Sequence, residues 1–389
     1  MHVGFNLIFL VPGETGGMEV AAREQIRAIA ELAPGLALTA FVNREAAAHV
    51  AEGGELLPPG VAVWPLPIRA RARWQWALGE QMLLPIAAGR ARLDLMHSLG
   101  STAPALSRCV RLTTIHDLIY ARYPEAHAGM LAAGMRVLVP LAARRSGRVI
   151  ADSQSTKRDI EELIGIGSER IDVVPLGIGS VQRQEPMPEQ ELRRRFDLGE
   201  RRLLLSLSAK RPHKNLLALI EALERIEAGR RPLLIVPGYR TWLEEQLLQR
   251  ARSLGVAEDL RLLGWLSAQE LEGLWSASAG FIFPSLYEGF GLPVLEAMAR
   301  GVPVACSTAS SLPEVAGDAA ILFDPRDVDA IAGAVEALIW DERLRERLRG
   351  AGRARAALFS WRRTAELTLA SYARALGLGG VPGSWLEGP

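Results

Sequence analysis

The sequence predicts an α/β fold with two doubly wound, Rossmann-like domains, each a parallel sheet covered by helices on both faces. Short apolar runs alternate with longer amphipathic segments along most of the 389 residues, and this alternation is typical of parallel strands joined by helices. The alternation lapses in a stretch rich in Gln, Glu and Pro at 182–190 and then restarts. Such a lapse indicates a junction between two domains.

Each predicted element rests on its own pattern of apolar residues. Short runs dominated by Val, Ile, Leu and Phe predict strands, and they cover 3–11, 36–42, 61–65, 93–97, 110–116, 148–151, 203–208, 232–236, 259–263, 279–283 and 302–305. Segments whose apolar residues recur at helical spacing predict helices, and they cover 18–33, 74–89, 126–145, 154–164, 215–227, 241–254, 267–276, 292–300, 327–339, 341–357 and 361–375.

These elements group into two domains and a tail. Residues 1–180 form the first domain and residues 181–360 the second, while the last helix, 361–376, is expected to pack back on the first domain. The tail at 377–389 is rich in Gly and Pro and is expected to be mobile. Ligands of open parallel sheets bind beyond the carboxyl ends of the strands, so functional residues are sought in the loops that follow them.

Composition excludes several classes of protein. The formal net charge is +1, so no general basic field favours nucleic-acid binding. Two cysteines are too few for a disulfide framework or a multi-cysteine zinc site. No apolar run approaches the roughly 20 residues of a membrane span, and the opening residues 2–11 suggest a buried strand rather than a signal peptide. We therefore expect a cytoplasmic protein.

The segment 281–298 carries a glycine-rich loop between a strand and a helix. Gly289 and Gly291 allow a ligand to approach the free N–H groups at the positive end of the helix, which suits a diphosphate. Glu288 lies in the loop and Glu296 roughly one turn into the helix, so the two carboxylates can contact different parts of one extended ligand. The alternative is an ordinary glycine-rich turn with a surface glutamate.

The run 281–325, in which seven residues separate Glu288 from Glu296, resembles the Glu-x7-Glu signature of retaining glycosyltransferases of the GT-B fold, family 4. The resemblance extends over almost the whole chain and is strongest in the second half. It implies two Rossmann-like domains facing a cleft, with a nucleotide-diphosphate sugar bound mainly by the second and a saccharide or lipid-linked acceptor bound mainly by the first. It also implies retention at the anomeric carbon, with no cofactor and no essential metal.

The resemblance also implies roles for single residues. Glu288 would lie beside the donor sugar and act in catalysis, either by stabilising positive charge on the sugar ring or by orienting the sugar. Phe290, Gly291 and Leu292 would offer backbone N–H groups to sugar hydroxyls and phosphate. Glu296 would hold the ribose hydroxyls.

A basic segment follows the first strand of the second domain. Only three of the 45 basic residues are lysines, and Lys210 and Lys214 lie here beside Arg211. A lysine ammonium suits the charge that builds up on a leaving diphosphate. The family clamps this diphosphate with an Arg and a Lys about six residues apart; Lys214 matches the Lys, but Ser208 or Ala209 stands where the Arg is expected. We expect Lys210 or Arg211 to substitute, and the alternative is a solvated basic loop.

Two other glycine-containing loops follow predicted strands. Gly16 and Gly17 resemble the family's first glycine-rich loop, where the backbone approaches phosphate or acceptor, although a plain turn is the alternative. Gly264 and Trp265 would, by the same resemblance, lie near the nucleotide base.

His116 and Asp117 end another predicted strand. A histidine beside an aspartate suggests proton handling or hydroxyl binding. The family has a similar pair, with the histidine close to the donor sugar, so we place His116 in the catalytic set and Asp117 on the acceptor side. The alternative is a core histidine beside a capping aspartate. Asp152 or Ser153 is expected to cap the helix that follows.

Two further patterns allow both a structural and a functional interpretation. Asp327 and Asp329 spell the Asp-x-Asp metal motif of another glycosyltransferase fold, but they begin an amphipathic helix, where acidic residues are favoured. We expect no metal there. The segment 69–92 combines arginines and tryptophans with apolar residues, which suits peripheral contact with the inner face of a membrane. The alternative is a helix packed on its own domain with a basic rim.

The predicted function is therefore transfer of a hexosyl group from a nucleotide-diphosphate sugar to a hydroxyl of a saccharide or lipid-linked acceptor. GDP-mannose is slightly favoured, because the region of His116 and the segment 281–296 resemble mannosyl- and other hexosyltransferases of surface-polysaccharide assembly. One alternative is a sugar-nucleotide epimerase of the same fold, which would consume donor without acceptor. Another is a non-catalytic nucleotide-sugar-binding protein, which would show neither transfer nor slow hydrolysis.

Overall fold

The computed structural model describes residues 1–126, 130–179 and 184–387. Parts of three predicted segments, namely the helix 126–145, the junction 182–190 and the tail 377–389, lie outside the described residues. The chain divides into two compact units, formed by Met1–Gly177 with Phe359–Pro389 and by Ile178–Leu358.

The strands and helices follow the alternation that the sequence predicts. The strands are β1 (His2–Leu7), β2 (Ala37–Val42), β3 (Val61–Pro65), β4 (Leu95–Ser98), β5 (Val110–Ile115), β6 (Arg148–Ala151), β7 (Ile171–Val173), β8 (Leu203–Leu205), β9 (Leu233–Val236), β10 (Leu260–Leu262), β11 (Ser278–Phe283), β12 (Val304–Ser307) and β13 (Ile321–Phe323).

The helices lie between the strands and after the last of them. They are α1 (Gly17–Leu32), α2 (Arg44–Ala51), α3 (Arg73–Arg90), α4 (Ile119–Arg122), α5 (Met130–Arg145), α6 (Gln154–Asp159), α7 (Glu189–Arg195), α8 (Leu216–Arg225), α9 (Leu243–Ser253), α10 (Ala268–Ala277), α11 (Leu292–Ala299), α12 (Leu312–Ala316), α13 (Val328–Trp340), α14 (Glu342–Ala356), α15 (Trp361–Ala375) and α16 (Gly383–Leu386). Among the helices of the described residues, none is long and apolar enough to cross a bilayer.

The first unit is built on a seven-stranded parallel sheet with the strand order β3-β2-β1-β4-β5-β6-β7. Its central strands are buried on both faces, as the neighbouring residues Leu95 and Met96 of β4 show, because helices cover both sides of a parallel sheet. The late helix α15 lies against α1 in this unit. Two buried side-chain contacts hold it, from Gln25 Nε2 to Thr368 Oγ1 at 2.8 Å and between His97 Nδ1 and the Tyr372 hydroxyl at 2.8 Å.

The second unit repeats the architecture with a six-stranded parallel sheet in the order β10-β9-β8-β11-β12-β13. Helices α8 and α13 pack on one another over its core, where Leu219, Leu223, Val335 and Leu338 are completely buried. In this sheet β8 lies between β9 and β11. The loops that leave these three strands therefore emerge side by side at one edge, about 5 Å apart per strand.

Part of the tail, which the sequence predicts to be mobile, packs against the first unit at residues 383–386. Its short helix α16 carries Trp385, which is buried. The Trp385 carbonyl accepts a hydrogen bond from the Gly35 N–H at 3.0 Å. A side chain at Gly35 would collide with the Ser384 carbonyl oxygen, which lies 2.0 Å from the ideal Cβ position. Burial of the large aromatic side chain of Trp385 favours this packed position although the tail is rich in Gly and Pro.

Candidate active site

Lys214 and Glu288 form an ion pair at the carboxyl edge of the second unit's sheet. They lie in the loops after the neighbouring strands β8 and β11, and Lys214 Nζ is 2.6 Å from Glu288 Oε1. Both side chains are mostly shielded from solvent, with exposed fractions of 15% and 13%. The Leu286 N–H donates to the His213 carbonyl at 2.8 Å, which joins the two loops. The structure thus brings together the two residues on which the predicted diphosphate site depends.

Two serines fix the backbone of the loop that carries Glu288. The Ser310 hydroxyl donates to the Glu288 carbonyl at 2.6 Å, and the Ser311 hydroxyl donates to the carbonyls of Glu288 and Phe290 at 2.9 and 2.7 Å. Phe290 is buried, and Gly291 has a φ of 107°, in the region that favours glycine. The loop therefore has a defined conformation before any ligand binds.

The loop ends where α11 begins, and backbone donors are available there. Within the described part of the chain, the N–H groups of Gly291 and Leu292 have no hydrogen-bond acceptor. Unpaired N–H groups and the positive end of the helix dipole favour an anionic group at this position. The site thus offers two backbone donors in the loop that carries Glu288, the partner of Lys214.

Glu296 lies on α11 and is partly exposed. No described group donates a hydrogen bond to its carboxylate. Burial raises the pKa of Glu296; the Arg300 guanidinium lowers it and the Glu272 carboxylate raises it further. Arg300 is itself bound to Glu272, with Nε 3.0 Å from Oε2. Glu296 is therefore a carboxylate without a fixed partner, which is compatible with binding hydroxyl groups.

The structure contradicts a phosphate-binding role for Lys210. Its side chain is completely buried, and Nζ donates to the carbonyls of Gly238 and Leu263, each at 2.9 Å. The Glu244 carboxylate lies 3.4 Å from the same ammonium. Burial lowers the pKa of Lys210, and its hydrogen-bonding capacity is used inside the unit. Arg211, the other expected substitute, is partly exposed at the start of the turn that contains Lys214.

Lys210 joins two loops that carry an exposed aromatic pair. The pair consists of Tyr239, after β9, and Trp265, after β10, whose ring centres lie 4.9 Å apart at an angle of 34°. The Gly264 carbonyl accepts a hydrogen bond from the Gly238 N–H at 3.2 Å, which also connects the two loops. The sequence predicts Trp265 at this site but not Tyr239, whose position directly after a strand and a glycine was the available signal.

In the glycine-rich loop of the first unit, the backbone conformation explains the first of the two predicted glycines, Gly16. Gly16 has a φ of 67°, which favours glycine at this position, and its carbonyl accepts the Glu19 N–H at the start of α1. The Glu19 carboxylate in turn accepts the Gly13 N–H at 2.9 Å. Gly17 is the first residue of α1 and has open space around its Cα, so a ligand can approach its backbone.

The partner of His116 is Asp152 and not the adjacent Asp117, which corrects the predicted pair. His116 Nδ1 lies 2.7 Å from Asp152 Oδ2, and Nε2 lies 2.8 Å from the Leu99 carbonyl. Burial alone would lower the pKa of His116, but the Asp152 carboxylate raises it to about 9. Both ring nitrogens are therefore occupied, and this geometry leaves neither for proton transfer to a substrate. Asp117 accepts the Ile119 N–H at 3.0 Å and remains partly exposed.

The structure shows the predicted cap of α6 and, in addition, a cap at the start of α13. Ser153 accepts the Thr156 N–H at the start of α6, and Asp327 accepts the Ala330 N–H at the start of α13. Asp329 lies 3.6 Å from Arg225. In the ranges 1–126, 130–179 and 184–387, no three His, Cys, Asp or Glu side chains group closely enough to hold a metal ion.

Comparison with known proteins identifies the family. Residues 188–355 match the family Glycosyl transferases group 1, and residues 15–180 match Glycosyltransferase Family 4. O-antigen chain mannosyltransferase B of Escherichia coli is 33% identical over 265 residues, which are 67% of this chain and 69% of the relative. The serotype-specific mannosyltransferase WbdA of Escherichia coli is 33% identical over 60% of this chain, which spans only 29% of WbdA.

Solved structures agree on the fold. HepE of Anabaena, crystallised with UDP and glucose, superposes with a TM-score of 0.73 over 96% of this chain and 100% of its own, at 21% identity. Together with the two parallel-sheet units, this superposition establishes the GT-B fold. The chain therefore belongs to glycosyltransferase family 4 and is a glycosyltransferase of the GT-B fold.

Proposed function

We propose that this enzyme transfers a mannosyl group from GDP-mannose to a hydroxyl of a saccharide or lipid-linked acceptor, with retention and without a bound metal ion. The observation that carries the proposal is the ion pair between Lys214, in the loop after β8, and Glu288, in the loop that leads into α11, with Nζ 2.6 Å from Oε1. The likeness to O-antigen chain mannosyltransferase B supports mannose as the transferred sugar.

The proposed chemistry depends on stabilising a leaving diphosphate. As the bond from sugar to phosphate breaks, negative charge accumulates on the diphosphate oxygens. Lys214 and the N–H groups of Gly291 and Leu292 supply positive charge and donors that are already in position, so little reorganisation is needed. Glu288, released from Lys214 when the diphosphate binds, is then free to stabilise positive charge on the sugar ring or to orient the sugar.

The proposed donor orientation follows the order of the loops along the sheet edge. Glu288 follows β11, Lys214 follows β8, Tyr239 follows β9 and Trp265 follows β10. At about 5 Å per strand, this row is long enough for sugar, diphosphate and base to occupy successive loops. The aromatic pair would then stack on the base, and a purine offers the larger stacking surface. Lys210 would contribute by fixing the two loops that carry the pair.

The remaining predicted residues support the proposal less directly. Glu296 is available to bind the ribose hydroxyls because its carboxylate has no partner among the described groups. Gly17 and Asp117 are accessible on the first unit, and we assign them to acceptor or phosphate binding. His116 is assigned no proton-transfer step, since Asp152 and the Leu99 carbonyl hold both its nitrogens.

A donor panel tests this proposal. The enzyme is heated with GDP-mannose, GDP-glucose, UDP-glucose and UDP-galactose, and the unfolding temperature is measured for each. GDP-mannose is then incubated with acceptor and excess chelator, and the anomeric configuration of the product is determined by NMR. We expect the largest thermal shift with GDP-mannose and a retained configuration in chelator. A larger shift with a UDP-sugar, inversion, or activity only with added metal would each contradict the corresponding part of the proposal.

A further inference from the structure

Helix α3 presents an unusual apolar surface to solvent. Trp74, Leu78, Met82 and Ile86 recur at every fourth residue and therefore lie on one face of the helix, where they are between 54% and 66% exposed. We call these four residues the α3 stripe; Leu83 lies beside it and is also exposed. A contiguous exposed apolar surface of this kind marks an interaction site.

The exposed charged residues of the segment 67–92, which carries the α3 stripe, are all arginines. Between residues 67 and 92 the only acidic residue is Glu80, and it is buried, with Oε1 2.8 Å from Asn6 Nδ2. At the two ends of the helix lie four exposed arginines, which have no ion-pair partner within the described residues: Arg69, Arg73, Arg90 and Arg92. By contrast, Arg345 and Arg349 on α14 pair with glutamates of their own helix.

A groove beside the stripe combines the same two chemistries. It has a volume of about 490 Å³ and is lined by stripe residues, by Ile68 and by the arginines Arg44 and Arg69. Neither arginine has an ion-pair partner in the described part of the chain. The groove is complementary to a phospholipid: its apolar wall suits the acyl chains, and the two adjacent guanidinium groups suit the phosphate.

We propose that α3 docks this enzyme on the surface of an anionic phospholipid bilayer, with the stripe inserted at the interface and the terminal arginines at the phosphates. An amphipathic helix with aromatic and aliphatic residues on one face and arginines at its rim lies in the plane of such a surface. Charge complementarity favours this occupant over a second copy of the chain, because a second stripe would bring arginines against arginines. The surface lies outside the donor-binding loops, so the inference stands independently of the proposed function.

Vesicle sedimentation of the full chain tests the inference. Vesicles of phosphatidylcholine alone are compared with vesicles of equal parts phosphatidylcholine and phosphatidylglycerol. We expect binding to the anionic vesicles only, with an affinity that falls as salt is raised. The double variant Leu78→Glu/Met82→Glu should not bind. The matched control Trp242→Glu/Leu358→Glu changes two equally exposed apolar residues of the other unit and should bind as the unchanged protein does.

A second variant separates charge from apolar contact. Arg73→Gln/Arg90→Gln keeps the stripe and should weaken binding to anionic vesicles about 30-fold, from about 1 kcal/mol per arginine. Thermal unfolding and the thermal shift with GDP-mannose verify that each variant is folded and binds donor as before. Equal binding by the unchanged protein and the Leu78→Glu/Met82→Glu variant would overturn the proposal. An absence of binding to anionic vesicles would also overturn it. A third contradicting result would be that the unchanged protein is a dimer in solution and the Leu78→Glu/Met82→Glu variant a monomer.

Discussion

Replacement of Lys214 by alanine tests the centre of the proposed donor site. The substitution removes the ammonium that lies 2.6 Å from Glu288 Oε1 and 5.0 Å from the ring centre of Phe283. A hydrogen bond to a charged group contributes about 1.5–3 kcal/mol, so the Kd of GDP should rise about 10- to 150-fold. Guanosine, which lacks the diphosphate, should bind with unchanged affinity.

Isothermal titration with GDP, GMP and guanosine measures this difference. The matched control is Lys157→Ala, because Lys157 lies in the first unit and its ammonium donates to the carbonyls of Ser168 and Ile171. Thermal unfolding of both variants shows whether the loss of a lysine affects folding. Equal weakening of GDP and guanosine by Lys214→Ala, or an unchanged Kd for GDP, would refute the proposed contact between this ammonium and the diphosphate.

Two further predictions concern carboxyl groups. Glu288→Gln should not weaken GDP binding, because the diphosphate no longer has to displace a carboxylate from Lys214. It should lower kcat of transfer by about 100-fold or more, because a neutral amide cannot stabilise positive charge; near-normal kcat in a transfer assay would remove Glu288 from the site. Burial raises the pKa of Glu80 from 4.5 to about 7, so the folded state retains a proton that the unfolded chain loses between these values. The contribution of Glu80 to the free energy of unfolding should therefore fall by about 3 kcal/mol as pH rises from below 4.5 to above 7. In urea titrations the difference between the unchanged protein and Glu80→Gln should change by this amount over that pH range, whereas the exposed Glu52→Gln should follow the unchanged protein. An unchanged pH dependence in Glu80→Gln would contradict the assignment.

Much of the fold and part of the site could be predicted because they depend on local patterns. Strand-to-helix alternation shows directly in the order of apolar runs, and Glu288 and Lys214 each lie in a loop with a recognisable pattern. What could not be predicted depends on which strands are neighbours. Asp152 follows β6 and reaches His116 because β6 lies beside β5 in the sheet, and nothing in the adjacent sequence favours it over Asp117.

The incorrect prediction for Lys210 has a similar origin. A lysine after a strand can be exposed or buried. Which of the two occurs depends on loops that come later in the chain and surround it. Here the carbonyls of Gly238 and Leu263 converge on its ammonium from two other strands. Gly238 has a φ of 143°, and a side chain at this position would meet the Ser208 carbonyl oxygen at 2.2 Å. The close approach of these loops is a property of packing that a linear pattern does not contain.

The return of the last helices to the first unit has a consequence for biosynthesis. A growing chain presents its amino-terminal half first, yet the partners of Gln25 and His97 are Thr368 and Tyr372, which the ribosome adds near the end. Until then the first unit has an uncovered apolar surface where α15 will pack on α1. The described core of the second unit is contained in one continuous stretch of the chain. All of its residues are therefore synthesised before the helix that completes the first unit. Domains usually fold in the order of their synthesis, beginning with the amino-terminal one. In this chain we expect the second unit to complete its core before the first.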